Sequence, residues 1–335
     1  MKKKIIVILG PTASGKTGLA VDLALEHNGE IVSADSRQVY KGMDIGSGKD
    51  LPDYHLEFDL SKFESLKKKG LKVKRNKDKC FVDIPYHLID VAMPNTEFNL
   101  GKYYVKANKA ITEILEHDKL PIIAGGTGLW LQALVDGYNL TSVKADADLR
   151  DSLEELSVQQ VFKKLEKINK KFAQNLNNSE KNNKRRLIRY IEILSNKDSK
   201  KLDEKILTKS GSDYEFLILG LAPEKELLHE RIYKRLIKRL ETEDMMGEVG
   251  RLHNEGVSWK RLESFGLEYK FLAMHLQRKI DYNEMVEKLF IATRQFAKKQ
   301  MSWFRRWEKQ GTVIHWIEDR SDAGKLVKEF LSHNT

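Results

Sequence analysis

The segment Gly10-Pro11-Thr12-Ala13-Ser14-Gly15-Lys16-Thr17 matches the pattern G-x-x-x-x-G-K-[ST] at every position. The glycines let backbone N–H groups turn inward around phosphate oxygens, and a helix that starts at the loop offers them its positive end. Lys16 supplies a mobile positive charge, and the Thr17 hydroxyl can join the shell of a Mg²⁺ ion. The candidate polyphosphate contacts are therefore Gly10, Thr12, Ala13, Ser14, Gly15, Lys16 and Thr17. The pattern specifies a distribution of charge and no base, so ATP, GTP and other pyrophosphate compounds stay open.

A carboxylate follows in Ser33-Ala34-Asp35-Ser36-Arg37-Gln38-Val39-Tyr40. Beside a phosphate loop, Asp35 can hold Mg²⁺ through water, cap a helix, or accept a proton from a nucleophile. Farther on, Arg231, Arg235 and Arg239 recur at i, i+4 and i+8, hence on one helix face. One or two of them can clamp a phosphoryl or pyrophosphate group, because guanidinium pairs with phosphate oxygens bidentately; the rest of such a face is ordinarily solvated. In Lys184-Arg185-Arg186-Leu187-Ile188-Arg189 the arginines share a side while Leu187, Ile188 and Ile191 can pack, which suits a nucleic-acid backbone. Arg294, Lys298 and Arg305 alternate with Phe296, Trp303 and Trp307, the aromatics reading as core.

These groups need elements to hold them. Residues 5–9, Ile-Ile-Val-Ile-Leu, form a short apolar run suited to a parallel strand buried on both faces, and Thr17 to Leu25 repeat apolar letters at helical spacing. Further strands are expected at 30–34, 120–124 and 214–221, with long helices at 226–240 and 282–307. Strands alternating with helices predict an α/β fold, a P-loop NTPase-like parallel sheet with helices on both faces. Asp35 then emerges at the carboxyl edge of the sheet, where open α/β folds bind ligands. From about Asp146 to Lys209 the strand signals vanish and the period is helical, which marks a helical insertion domain. The expected division is a catalytic core of 1–137 and 213–335 and an insertion of 138–212. The lysine-rich stretch between Asp50 and Pro85 reads as a solvated hairpin or loop.

The 335 residues carry 59 Lys+Arg against 49 Asp+Glu, a formal charge of +10, with 41% hydrophobic and 32% charged residues. That is globular composition and excludes disorder of the whole chain. The apolar runs are all far shorter than the roughly 20 residues needed to cross a bilayer. Gly10-Pro11 stops the N-terminal run too early for a signal peptide. A lone cysteine, Cys80, forms no internal disulfide and fits a reducing compartment, so a cytoplasmic location is expected, away from any membrane. Between Tyr138 and Ser212 there are 17 Lys and Arg against 11 Asp and Glu, so this fifth of the chain holds six of the ten surplus charges. Such placement favours a contact surface for a polyanion.

Taken together, the blocks GPTASGKT at 10–17, SADSRQVYKGMDIG at 33–46, IPYHLID at 84–90, AGGTGLW at 124–130, KRRLIRYIEIL at 184–194, LLHERIYKRL at 227–236 and TRQFAKKQMSWFRRW at 293–307 resemble the tRNA dimethylallyltransferases, also called tRNA isopentenyltransferases. The first block is common to many nucleotide-binding families; the second and last are far more selective, and the likeness runs nearly end to end. The resemblance implies transfer of a dimethylallyl group from dimethylallyl diphosphate to N6 of adenosine 37 in the tRNA anticodon stem-loop, with diphosphate released. It implies that the loop holds the donor's diphosphate, that Asp35 is the general base, and that Thr17 with Mg²⁺, Lys16 and Arg235 surround the leaving group. It places tRNA contacts at Asp35, Ser36, Arg37, Gln38, Thr127, Arg150, Arg185, Arg186, Arg189, Lys298 and Gln300. A monomer is expected.

Three departures stand out. The family commonly reads GTAKP where this chain has Gly46-Ser47-Gly48-Lys49-Asp50, and the segment before Ile84 is longer than usual. Many members read G-Y-[KR] where this chain has Phe265-Gly266-Leu267-Glu268-Tyr269-Lys270, and Tyr86 replaces a frequent histidine before His87. The alternatives are a prenyltransferase acting on free adenine nucleotides, which has no use for the basic insertion, an ATP-dependent small-molecule kinase, which the loop alone would allow, and a non-enzymatic RNA-binding module, against which Asp35 beside an intact loop speaks.

Overall fold

The structure is a computed structural model that describes residues 2–137, 146–195, 212–318 and 320–333. The expected helical character of 196–209, and the expected start of the insertion at residue 138, lie outside the described residues. The chain forms two compact units, Met1–Val135 with Ser212–Thr335, and Asp136–Gly211.

In the larger unit the strands are β1 Lys3–Leu9, β2 Gly29–Ser33, β3 His55–Asp59, β4 Val73–Arg75, β5 Lys79–Asp83, β6 Tyr86–His87, β7 Leu120–Gly125, β8 Tyr214–Leu221 and β9 His315–Ile317. Six of them make one sheet in the order β6-β2-β7-β1-β8-β9, every pairing parallel. The continuous apolar run of β1 has the expected cause. Ile5, Val7 and Leu9 enter one hydrophobic layer and Ile6 and Ile8 the other, so each face of the strand is covered. On the first face lie the helices Leu100–Glu116 and Gly128–Asp136, with Tyr103, Ile111, Trp130 and Leu131 buried; on the second lie Lys16–His27 and Arg320–Ser332, with Leu19, Leu23, Ala323 and Val327 buried.

The register sets the ends of three strands level. Leu9 of β1 pairs with Gly125 of β7, and Ser33 of β2 pairs with Ala124 of β7. The loop after β1, Asp35 after β2 and Gly126 after β7 therefore leave the sheet at one edge.

The stretch between Asp50 and Pro85 is more than a solvated hairpin. It builds a three-stranded antiparallel sheet, β3-β5-β4, with the short helix Phe63–Lys68. Cys80 and Val82 are buried from it into the second layer, together with Leu66 and Leu71. The apolar letters that do this are few and set among lysines, so they gave little periodic signal. The smaller unit packs Leu153, Val161, Leu165, Leu187, Ile188 and Ile191 into a core of its own.

Glu30, at the start of β2, ties sheet strands together: its carboxylate accepts from Lys119 Nζ at 2.5 Å and contacts His87 Nε2 at 2.6 Å. Burial would raise this carboxyl, but the bonds from Lys119 and His87 outweigh burial and hold it below the ordinary glutamate value. The unfolded chain thus takes up the proton more readily. The stabilisation is complete above about pH 4.3 and is lost as the pH falls through the lower folded value. Glu30→Gln is expected to cost about 2 kcal/mol near neutrality. Urea unfolding should show the gap to the parent chain narrowing below about pH 4, and a gap independent of pH would exclude the ion pair as its origin.

Candidate active site

The loop between β1 and the Lys16–His27 helix has a concave backbone. Ala13 (φ 61°) and Gly15 (φ 89°) are both left-handed, which turns successive N–H groups toward one point. Ala13 holds this conformation with a Cβ, at a cost of about 1 kcal/mol that is characteristic of functional loops. The Ser14 hydroxyl is buried without a hydrogen-bond partner among the described residues. Lys16 Nζ donates to Pro11 O at 2.6 Å, and its pKa is lowered to about 8, by burial first and by the Arg235 charge second. Arg235 donates through Nη2 to Thr12 Oγ1, and burial and then Arg239 bring its pKa down to about 10. Two cations are thus held close together in a poorly hydrated place, an arrangement that a polyanion relieves.

Asp35 sits across the same cavity, which measures about 310 Å³ and is lined by Thr12, Ala13, Gly15, Lys16, Thr17, Asp35, Arg37, Gln38 and the three arginines of the Lys225–Glu241 helix, among others. One Asp35 oxygen, Oδ1, accepts the backbone N–H of Arg37 at 2.9 Å; Oδ2 has no hydrogen bond to a described residue. Ser36 N donates to Thr127 Oγ1 at 3.1 Å, and Thr127 N to Ala34 O at 3.1 Å, so these residues knit the ends of β2 and β7. Gln38 accepts from Ser33 Oγ at 2.7 Å and donates to Gly48 O at 2.7 Å.

The arginine face runs from the cavity mouth inward. Arg231 is exposed, Arg235 is largely buried and Arg239 is buried. Arg239 is neutralised by Asp50, at 2.9 Å, whereas Lys16, Arg231 and Arg235 pair with no carboxylate among the described residues. Arg37 is likewise neutralised, by Glu268 at 2.9 Å. Asp50 belongs to the segment Gly46–Asp50 and Glu268 to the segment Phe265–Lys270. Lys49 in the first of these segments is fully buried against Asp44, Asp90 and the Tyr40 carbonyl. Glu248 fastens the same segment: its carboxylate accepts from the N–H groups of Asp44, Ile45 and Gly46 and from the Tyr269 hydroxyl.

Not every residue grouped in the sequence stays grouped. Lys298 is exposed, but Gln300 is buried, with Oε1 accepting from Thr12 N at 2.8 Å and Nε2 donating to Gly126 O at 3.0 Å. Two residues apart on a helix, they occupy different faces. Gln300 braces the phosphate loop, a role that its place in the buried stripe Thr293, Ala297, Gln300, Phe304 and Trp307 could have signalled. In the smaller unit Arg150 and Arg189 are both tied to the buried Glu192, at 2.6 and 3.0 Å. Arg185 is exposed, and Arg186, 45% exposed, lies 3.8 Å from Glu180. Sequence reasoning passed over Asp50, Glu248 and Glu268 as site residues, because their partners lie 189, 202 and 231 positions away.

Among the described residues no group of three or more His, Cys, Asp or Glu side chains is placed to hold a metal. A hard cation fits here only with phosphate oxygens completing its shell, alongside the Thr17 hydroxyl that lines the cavity.

Comparison with known proteins extends over the whole chain. Residues 71–307 match the family described as IPP transferase, and residues 3–58 match isopentenyl transferase. The chain is 39% identical over 334 residues to tRNA dimethylallyltransferase 1 of Geotalea uraniireducens, covering 100% of this chain and 99% of that one. It is 42% identical over 317 residues to tRNA dimethylallyltransferase 2 of Treponema denticola, covering 94% and 96%. A crystal structure of the full-length tRNA isopentenylpyrophosphate transferase of Bacillus halodurans aligns with a TM-score of 0.63 at 29% identity, over 99% of this chain and 96% of that one. A eukaryotic dimethylallyltransferase shares the fold, with a TM-score of 0.71 at 24% identity over 98% of this chain and 77% of that one.

The geometry around Gly48 yields a test. Its φ of +69° is left-handed, and a Cβ there would meet Arg239 Nη2 at 2.7 Å. Gly48→Ala should therefore cost about 1–2 kcal/mol from the backbone alone and push the guanidinium off Asp50. Thermal unfolding is expected to fall by several degrees, and an unchanged midpoint would mean that the segment reshapes freely.

Proposed function

The chain belongs to the tRNA dimethylallyltransferase family, and from that premise we propose that it moves a dimethylallyl group from dimethylallyl diphosphate to N6 of adenosine 37 in the tRNA anticodon loop, releasing diphosphate. One observation carries the assignment of parts: Lys16 and Arg235, without carboxylate partners among the described residues, flank a concave phosphate loop in a cavity that also holds Asp35. Lys16, Arg235 and the N–H groups of Thr12 to Thr17 take the donor's diphosphate, less those of Thr12 and Ser14, which donate to Gln300 Oε1 and Pro11 O. The N6 lone pair attacks C1 of the donor, the C1–O bond breaks, and its electron pair leaves with the diphosphate. The N6 proton passes to Asp35, whose Oδ2 is open. Charge grows on the diphosphate oxygens as the bond breaks, so cations fixed beforehand lower the barrier. A Mg²⁺ ion held by Thr17 and the diphosphate would supply further neutralisation of that leaving charge.

The target adenine is stacked in the loop, and base-modifying enzymes reach such an atom by extruding the nucleotide. Ser36, Arg37, Gln38 and Thr127 form the backbone-knitted rim on which we place adenine recognition. The exposed Arg185 and Arg186 of the smaller unit, and Lys298 of the larger, are placed on the tRNA backbone. Arg150 and Arg189 reach it while anchored on Glu192. We place the reaction in the cytoplasm, with the enzyme acting as a monomer; no described helix is long and apolar enough to cross a membrane.

Three expectations follow from these roles. Labelled dimethylallyl diphosphate incubated with undermodified tRNA, and separately with AMP and ADP, should label an adenosine of the tRNA alone; label entering AMP or ADP instead would reassign the acceptor. Asp35→Asn should keep donor and tRNA binding while kcat falls by about 10²-fold or more, and undiminished turnover would remove Asp35 as base. Arg186→Ala should weaken tRNA binding and reduce its salt dependence by about one counterion, whereas an unaltered slope would take Arg186 out of the interface.

A further inference from the structure

Glu268 shares the cavity with Asp35. It is 8% exposed, stands in the first turn of the Leu267–Leu276 helix, and lines the cavity. Its Oε2 accepts from Arg37 Nη1 at 2.9 Å, and the Arg37 guanidinium lies over the Phe296 ring, 5.1 Å from its centre. Arg37 Nε stands 3.9 Å from Asp35 Oδ1, too far for a hydrogen bond, although the two residues are neighbours but one. We propose that Glu268 is a positioning residue for the reaction: it holds the Arg37 guanidinium away from Asp35 so that the Asp35 carboxylate stays free to accept the adenine proton.

The physical ground is competition for one cation. Guanidinium and carboxylate pair bidentately when nothing prevents it, with N···O distances of about 2.7–2.9 Å. An Arg37 released from Glu268 has one carboxylate left within reach, Asp35, and pairing there engages the oxygen that the backbone leaves open. The groups around this pair are Lys16 from the phosphate loop, Arg235 from the Lys225–Glu241 helix, Asp50 from the segment after Gly48, and Tyr269 beside Glu268. None of these is placed to take over from Glu268. Lys16 and Arg235 are cations, Asp50 is engaged by Arg239, and the Tyr269 hydroxyl donates to Glu248. Glu268 touches neither donor nor tRNA in this account, so its effect falls on the proton-accepting step and not on binding.

This inference rests on Asp35 being the base, and the experiment separates the two. Single-turnover rates at saturating tRNA and donor are measured for Glu268→Gln, for Arg37→Gln/Glu268→Gln and for Asp35→Asn, with donor KM, tRNA Kd and thermal unfolding for each. Glu268→Gln should lower the rate at least 10-fold with donor KM within twofold, and removing Arg37 as well should recover a substantial part of that loss at saturating tRNA. A purely structural Glu268 would instead lower the unfolding midpoint, move KM together with the rate, and gain nothing from loss of Arg37; that pattern overturns the proposal. If Asp35→Asn is slow while Glu268→Gln matches the parent chain, the base assignment stands and the positioning role falls. If Asp35→Asn is as fast as the parent chain, both fall.

Discussion

Two positive charges without a carboxylate partner among the described residues govern the rest of this molecule. Burial and then the Arg235 charge lower the proton affinity of Lys16, and burial and then the Arg239 charge lower that of Arg235, so the cavity favours an anion. A bound diphosphate supplies that anion, and by mass action any ligand that does so also stabilises the fold around it. The surrounding cations are treated differently. Arg239 is given Asp50 and Arg37 is given Glu268, so the field is concentrated where the loop can meet phosphate oxygens and is quenched a few ångströms away.

Holding such a field in place requires a stiff frame, and the parallel sheet provides it. Leu9, Ser33 and Gly125 end at one level because β1, β2 and β7 are in register, which brings the loop, Asp35 and Gly126 to a common edge. Gln300 then joins the loop to the bend after β7 from a helix far along the chain, through one amide that accepts from Thr12 and donates to Gly126. Glu248 does the equivalent for residues 44–46. A carboxylate that satisfies three consecutive N–H groups of a loop is a nest contact, and it fixes the segment that carries Gly48 and Asp50.

What sequence alone could disclose follows the range of the interactions. Strands buried on both faces announce themselves as unbroken apolar runs, and Tyr214–Leu221 was legible to the residue; β1 begins two residues earlier than its apolar run, with Lys3 exposed and Lys4 half-buried, its Nζ donating to Phe330 O at 2.7 Å. The phosphate loop was legible because its chemistry is local. The antiparallel sheet at 55–83 was not, since Leu56 and Phe58 stand singly beside charged letters and Cys80-Phe81-Val82 is a run of only three, and they gain meaning only when paired. The ion pairs Arg37–Glu268 and Arg239–Asp50 join residues 231 and 189 positions apart, and no spacing rule spans that distance.

Those two pairs also resolve a conflict inherent in the chemistry. A diphosphate leaving group calls for cations, and a neutral amine that becomes a cation as it attacks calls for a carboxylate able to take its proton. Placed in one small cavity without restraint, the two requirements cancel, because an arginine seeks the nearest carboxylate and silences both. Separation by an additional acid is the physical solution when distance is not available: each acid ties down one arginine, which under the proposed roles leaves Lys16 and Arg235 for the departing oxygens and Asp35 for the incoming amine. Under those proposed roles Asp50 and Glu268 form one device with two arms, one guarding the leaving-group charges and the other the base.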